Sequence, residues 1–248
     1  MSLSVVTLTW NSENYIYRML DTLTNNLNSI KLNYEIIIVD NGSDDNTVSI
    51  LCEYMKKNKN INLIALESNV GTTKSRNLAL KQVNYENILI VDSDTEFTYT
   101  NFEKLLKSFS EIKSEKIGII QPRLVHTNGE IQSSALKFPT ITNKFFRFLG
   151  RTQSPYDLKD IQKVDYCISA AWLLKREVFE VVGLLDEKIF YAPEDAEFCK
   201  RLSTLGLEVW YYPNVQIIHH YQRITSKKKI NKMWFSHLKG LIYFWFKY

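Results

Sequence analysis

Residues 88–97 read ILIVDSDTEF, an apolar run that ends in two aspartates one residue apart. A short β-branched run of this kind reads as a buried strand. Side chains on a strand alternate faces, so Asp92 and Asp94 share one side if the extended geometry persists that far. Two carboxylates about 4 Å apart repel by roughly 4 kcal/mol at an effective dielectric near 20. A proton, a basic side chain or a divalent cation must therefore compensate, and Mg²⁺ or Mn²⁺ suits carboxylate oxygens. The competing reading is local, with Asp94 closing a turn or capping a helix that starts near Asn101.

Working outward, similar runs occur at 3–9, 34–40, 61–66 and 117–121, and segments of helical period lie near 14–27, 44–57, 72–84 and 101–113. This alternation predicts an α/β fold with a mostly parallel sheet, helices on both faces and right-handed crossovers. Ligands of such sheets bind at the carboxyl ends of strands. Asp40 ends the second predicted strand, and Asp92 and Asp94 end the fourth. From 122 to 165 the pattern is broken by Pro122, Gly129, Pro139, Gly150 and Pro155. Regularity returns at AAWLLKREVFEVVG (170–183), with helix-like EDAEFCKRLSTLG (194–206) and strand-like LEVWYY (207–212) and VQIIHH (215–220).

The chain has 248 residues, 45% of them hydrophobic, enough for one large domain with a substantial core. Its net charge of +4 is unevenly spread: seven of the 31 Lys and Arg lie beyond Glu208 and none of the 27 acids does, so residues 1–208 carry −3 (24 against 27). Cys52, Cys167 and Cys199 are odd in number and form no CxxC, which argues against a disulfide framework or zinc site and fits a reducing cytoplasm. The first residues lack the basic start of a signal peptide, and no apolar run reaches the ~18 residues of a membrane span. The expected location is the cytoplasm, with peripheral contact at the inner face of the cell membrane as an extension.

Four further stretches carry chemistry. IIIVDNGSDDNT (36–47) puts Asp40 before a glycine turn, where its carboxylate can accept from a base or ribose or simply belong to a capped turn. NVGTTKSRNLAL (69–80) opens a helix and offers Lys74 and Arg76 either to phosphate or to solvent. FYAPEDAEFCKRL (190–202) places Glu194 and Asp195 at a helix start, as favourable charges on the helix dipole or as a general base. In YYPNVQIIHHYQR (211–223), His219 and His220 point to opposite faces of a strand, so one of them can join a given metal site.

Taken in order, these stretches resemble the inverting glycosyltransferases of family 2, with the GT-A fold. The resemblance rests on SVVTLTWNSENYI (4–16), IIIVDNGSDDNT, NVGTTKSRNLAL, ILIVDSDTEF, IGIIQPRLVHTNGEIQSS (117–134) and the stretch from 164 to 220, and the second half of the chain is most similar to the rhamnosyltransferase-like branch. It implies a nucleotide-sugar site made by Thr7, Asn11, Asp40, Arg76, Asn77, Asp92, Ser93 and Trp172. Asp40 would meet the base, Arg76 the diphosphate, and Trp172 would line the donor or acceptor pocket. It implies a divalent metal, Mn²⁺ or Mg²⁺, held by Asp94 with Asp92 and His219. Asp195 would be the base that deprotonates the acceptor hydroxyl, with Glu194 orienting acceptor or base. The implied partners are a dTDP- or UDP-sugar and a glycan or lipid-linked acceptor, with a homodimer as a further expectation and no nucleic acid. The chain departs from the family pattern at Ala170 and Ala171, where Gly often precedes Ala, and at Lys74 and Arg76, which stand where small residues are common.

The expected organisation is a GT-A domain over 1–222, with a nucleotide-sugar half at 1–121 and an acceptor-side half at 122–222, followed by a basic aromatic helix over 223–248. That last segment, RITSKKKINKMWFSHLKGLIYFWFKY, reads equally as a helix in an anionic membrane interface or as one packed on protein. Two alternatives stand beside the transferase. One is a haloacid-dehalogenase-like phosphatase, whose DxDxT loop resembles ILIVDSDTE (88–96); the other is a non-catalytic nucleotide- or glycan-binding GT-A domain.

Overall fold

The computed structural model describes residues 1–140, 156–220 and 232–248. The first half alternates β1 (Ser2–Thr9), α1 (Ile16–Ser29), β2 (Asn33–Asp40), α2 (Thr47–Lys57), β3 (Ile61–Ala65), α3 (Thr72–Leu80) and β4 (Asn87–Asp92). Next come β5 (Thr95–Glu96), α4 (Phe102–Glu111), β6 (Ile117–Val125), β7 (Ala135–Leu136), β8 (Gln162–Val164), β9 (Tyr166–Cys167) and β10 (Ala171–Lys175). Helices α5 (Arg176–Val182) and α6 (Glu194–Thr204), strand β11 (Glu208–His219) and helix α7 (Lys232–Lys247) complete the described chain.

One nine-stranded sheet has the order β3-β2-β1-β4-β10-β6-β11-β5, with β8 added on β11. β1, β2, β3 and β4 pair in parallel, β10 runs against both β4 and β6, and β6 pairs in parallel with β11. Six strands therefore share one direction, as the βα alternation predicts. The two strand-like stretches at 207–212 and 215–220 are one strand, β11, whose register against β6 shifts between Tyr212 and Gln216. Pro213 accounts for the interruption seen in the sequence, because it has no N–H to give the ladder.

Strand alternation divides the core. Leu3, Val5, Ile36, Ile38, Leu89 and Val91 face one side, under α1 and α4, and Val6, Ile37, Val39, Ile88 and Ile90 face the other. α1 buries Ile16, Met19, Leu20, Leu23 and Leu27, the i, i+3, i+4 spacing of a single helical face. The second side is covered by α3, α5, α6 and Phe244 of α7. No helix among the described residues is long and apolar enough to cross a membrane. Gly150 and Pro155, and residues 223–231 of the basic segment, lie outside the described residues.

Candidate active site

A cleft of about 280 Å³ opens at the carboxyl ends of β1, β4 and β11 and is lined by Asp92, Ser93, Asp94, Arg76, Glu194, Asp195 and His219 among others. The extended geometry expected to carry Asp92 into Asp94 ends at Asp92. Ser93 and Asp94 form a turn into β5, with Thr95 Oγ1 donating to the Asp92 carbonyl at 2.8 Å. The two acids nevertheless face one site, because β5 pairs antiparallel with β11. Thr95 lies opposite His219, and the His220 N–H donates to the Asp94 carbonyl at 2.9 Å.

This pairing sets His219 Nε2 3.2 Å from Asp94 Oδ1 and 3.9 Å from Asp92 Oδ2. His219 Nδ1 lies 2.8 Å from Gln132 Oε1, an acceptor, which fixes the proton on Nδ1 and turns Nε2 toward the carboxylates. Burial disfavours the imidazolium, but the Asp94 hydrogen bond and the charges of Asp94 and Asp92 outweigh it and raise the His219 pKa. The ligand atoms of Asp92, Asp94 and His219 all lie within 4.8 Å of one another. Two carboxylates and an oriented imidazole fit Mn²⁺ or Mg²⁺, and a cation there would take over the role of the histidine proton. His220 points the other way, to Glu96 at 3.2 Å, with its ring edge-on to Tyr15.

Arg76 joins this acidic pair to the second one. Its side chain is 4% exposed, and one amino group donates to Asp92 Oδ1 at 2.5 Å. The other donates to Ser169 Oγ at 2.7 Å and lies 3.6 Å from Glu194 Oε1. Burial raises the Asp92 pKa, with Arg76 opposing and Asp94 reinforcing the shift. Burial and the neighbouring Asp195 push Glu194 up to about 8, against the pull of Arg76. Between about 4.5 and 8 the folded chain thus holds a proton that the unfolded chain has lost. The associated stability is full below 4.5 and is lost as pH rises through 8, so Glu194→Gln should flatten that loss in urea melts from pH 5 to 9.

Glu194 and Asp195 open α6, and Asp195 Oδ1 accepts from the Ala196 N–H at 2.7 Å. The loop before them is held by α3: the Thr72 N–H donates to the Phe190 carbonyl at 2.7 Å and Thr73 Oγ1 to Ile189 at 2.6 Å. Gly71 permits this contact, since its φ is +95° and an added Cβ would sit 2.6 Å from the Phe190 oxygen.

Several expected site residues sit elsewhere. Asp40 is 1% exposed and already accepts from Thr9 Oγ1, Ser43 Oγ and the Ser43 N–H, so its neighbour Asn41 lines the cleft instead. Thr7 is buried within β1. Asn11 is exposed and bonds Ser43 and Asp44 outside the cleft. Asn77 holds the loop after α5, donating to the Leu185 carbonyl and Glu187 at 2.9 Å. Trp172 is not among the residues lining this cleft. It pairs with Ile90 on the helix-covered face of the sheet and stacks on Phe198 at 5.8 Å. Lys74 is exposed while Arg76 is buried, because residues two apart on a helix point apart. Trp10, Ser12, Asn41, Asn69 and Phe190 line the cleft without having been expected, and the first three follow strand ends.

A largely parallel sheet bearing an Asp-x-Asp turn at its fourth strand, with an acid pair facing it, is the GT-A architecture. Residues 4–183 match Glycosyl transferase family 2, and the chain belongs to that family. This membership replaces the phosphatase alternative. The chain is 35% identical over 130 residues to the poly(ribitol-phosphate) beta-N-acetylglucosaminyltransferase TarS of Staphylococcus aureus, which covers 52% of this chain and 22% of TarS. It is 25% identical over 193 residues to the dTDP-rhamnosyl transferase RfbF of Shigella flexneri, covering 75% of this chain and 60% of RfbF. The chain thus spans between a fifth and three fifths of these curated relatives. Two solved structures share the fold. TarS 1–349 with UDP has a TM-score of 0.60 at 24% identity, covering 88% of this chain and 60% of that one. The mannosyltransferase PcManGT of Pyrobaculum calidifontis with GDP-Man and Mn²⁺ has a TM-score of 0.64 at 16% identity, covering 90% and 58%.

Proposed function

We propose that the protein is an inverting, metal-dependent glycosyltransferase. It would move a sugar, rhamnose or a similar hexose, from a dTDP- or UDP-sugar to a hydroxyl of a glycan or lipid-linked acceptor in cell-surface polysaccharide synthesis. The observation that carries this reading is the single cleft in which Asp92, Asp94 and His219 face Glu194 and Asp195, with Arg76 between them. The names of the relatives support the donor class: TarS transfers N-acetylglucosamine, RfbF is a dTDP-rhamnosyl transferase, and the solved neighbours hold UDP or GDP-Man.

In this reading Asp94, His219 and Asp92 hold a divalent cation, which when bound supplies positive charge for the diphosphate leaving group. Arg76 adds fixed charge beside it. Asp195 takes the proton of the acceptor hydroxyl as that oxygen attacks the anomeric carbon from the face opposite the diphosphate, which inverts the centre. Glu194, held by Arg76, orients the base. Ser93 and Asn41 supply polar contacts to the nucleotide, and Asp40 supports that wall from behind through Ser43. Residues 1–121 serve the donor and 122–222 the acceptor.

The outer face of α7 exposes Trp234, Phe235, Leu238, Ile242 and Phe246, beside a segment rich in lysine. We propose that it meets an anionic membrane surface on the cytoplasmic side.

Thermal shift with dTDP, UDP and GDP, each with and without Mn²⁺, tests the donor. One nucleotide should raise the melting temperature in a metal-dependent way, and no response to any of the three overturns the proposal. Asp94→Ala should weaken nucleotide binding in Mn²⁺ by tenfold or more and leave the small metal-free binding unchanged. Calorimetry showing the wild-type metal dependence in this variant removes Asp94 from the metal set.

A further inference from the structure

Helix α7 touches the catalytic cleft indirectly, through the loop that delivers its acid pair. Lys247 Nζ lies 2.7 Å from Asp186 Oδ2 and 2.7 Å from Glu197 Oε1. Tyr243 donates to Asp186 at 2.8 Å and Tyr248 to Glu197 at 3.0 Å. Glu197 is the fourth residue of α6, two after Asp195, and its side chain is fully buried. Arg201 is its partner within the helix, through Nε at 3.1 Å and an amino group at 2.9 Å. Asp186 begins the loop at the other end, where its backbone carbonyl accepts from the Ile189 N–H at 3.0 Å. At the centre, Gly240 packs on the loop itself, and a Cβ there would collide with the Ala192 carbonyl oxygen. Leu241 and Phe244 are buried, and Phe244 joins the cluster that contains Phe198 and Cys199 of α6.

Residues 186–197 are therefore gripped twice. α3 binds the carbonyls of Ile189 and Phe190, and α7 binds both ends and the middle. A buried carboxylate is costly unless paired and hydrogen-bonded, so Glu197 gives Lys247 a strong preference for this seat. Asp195 shares the first turn of α6 with Glu197, so its orientation follows that of the turn.

We propose that α7 is a latch on the acid-bearing loop and that Lys247 is a positioning residue for the transfer reaction. This rests on the function proposed above, with Asp195 as base. The grip of Lys247 on Asp186 and Glu197 keeps the first turn of α6 facing the cleft, and the nucleotide wall built by β1, β4 and α3 does not depend on it.

The test uses the full chain carrying Lys247→Met, Lys247→Arg or Gly240→Ala. Lys247→Met should lower kcat by tenfold or more, with the donor KM and the affinity for the nucleoside diphosphate that binds wild type unchanged within twofold. Lys247→Arg should recover kcat to within about threefold, since it restores the charge. Gly240→Ala, which removes no charged group but forces α7 away from the Ala192 carbonyl, should act in the same direction as Lys247→Met. Hydrogen exchange at 186–197 should quicken in Lys247→Met and Gly240→Ala while exchange in β1 and β4 stays unchanged. Unaltered kcat with quickened exchange overturns the positioning role. Unaltered exchange overturns the latch itself, and that readout stands even if the wild-type chain transfers no sugar.

Discussion

Asp195→Asn should fold, bind nucleoside diphosphate with Mn²⁺ as wild type does, and lose transfer by 10²- to 10⁴-fold, the usual contribution of a positioned general base. Each tenfold is about 1.4 kcal/mol of transition-state stabilisation, so the loss amounts to roughly 3–6 kcal/mol from one substituted atom. The substitution is nearly isosteric, and the amide oxygen can still accept from the Ala196 N–H as Asp195 Oδ1 does at 2.7 Å. The acid pair divides its roles by environment. Glu194 is buried against Arg76 and carries a pKa of about 8, so near neutral pH it is largely protonated and poorly suited to accept the acceptor's proton. Asp195 is the less buried of the two and lines the same cleft. Single-turnover transfer measured beside nucleotide titration separates the readings. Wild-type rates in Asp195→Asn, or a loss confined to Glu194→Gln, would move the base to Glu194. Nucleotide binding without transfer by the wild-type chain would favour the non-catalytic reading of this domain.

What the sequence made legible and what it hid have physical reasons. β1, β2, β3 and β4 were readable as short β-branched runs between helices that keep their period, and β2 and β4, buried on both faces, are near-continuous in apolar residues. The Asp92 and Asp94 pair was visible as residues, but its geometry was not. Their convergence comes from two residues of β5 pairing with β11 some 120 positions later, a contact with no local signature. For the same reason Gln132, which orients His219, carries no motif. Asp40 reads like an exposed strand-end acid, yet the Ser43 turn and Thr9 use its oxygens internally. Trp172 is misread by residue type: an aromatic near a site suggests a platform, but strand parity puts it on the core face. In 223–248 the sequence pattern shows two kinds of residue, aromatic and basic. The structure splits the apolar residues of 234–248 by face, with Leu241 and Phe244 inward and Trp234, Phe235 and Phe246 outward.

Arg76→Met is expected to be the most damaging substitution for stability. Arg76 is the one cation that the described ion pairs place between Asp92 and Glu194, and its carbon stem is buried with its charge. Breaking a buried pair by removing one partner costs about 3–5 kcal/mol, because the remaining charge is left uncompensated. The Asp92 side chain is 35% exposed and Glu194 can take up a proton, so solvent and protonation relieve part of that cost and the low end applies. About 3 kcal/mol corresponds to a fall in Tm of roughly 6–12 °C for a chain of this size. The fall should be smaller at pH 5 than at pH 8, because Glu194 is protonated at pH 5 and needs no partner there. Arg76→Lys should not rescue the loss. A single ammonium cannot reach Asp92 Oδ1 with one nitrogen while another donates to Ser169 Oγ and faces Glu194, which the planar guanidinium does at 2.5, 2.7 and 3.6 Å. Calorimetric melts of the two variants at both pH values decide this. Equal stability of Arg76→Met and wild type at pH 8, or full recovery with lysine, would show that the acidic residues are compensated by something other than this fork.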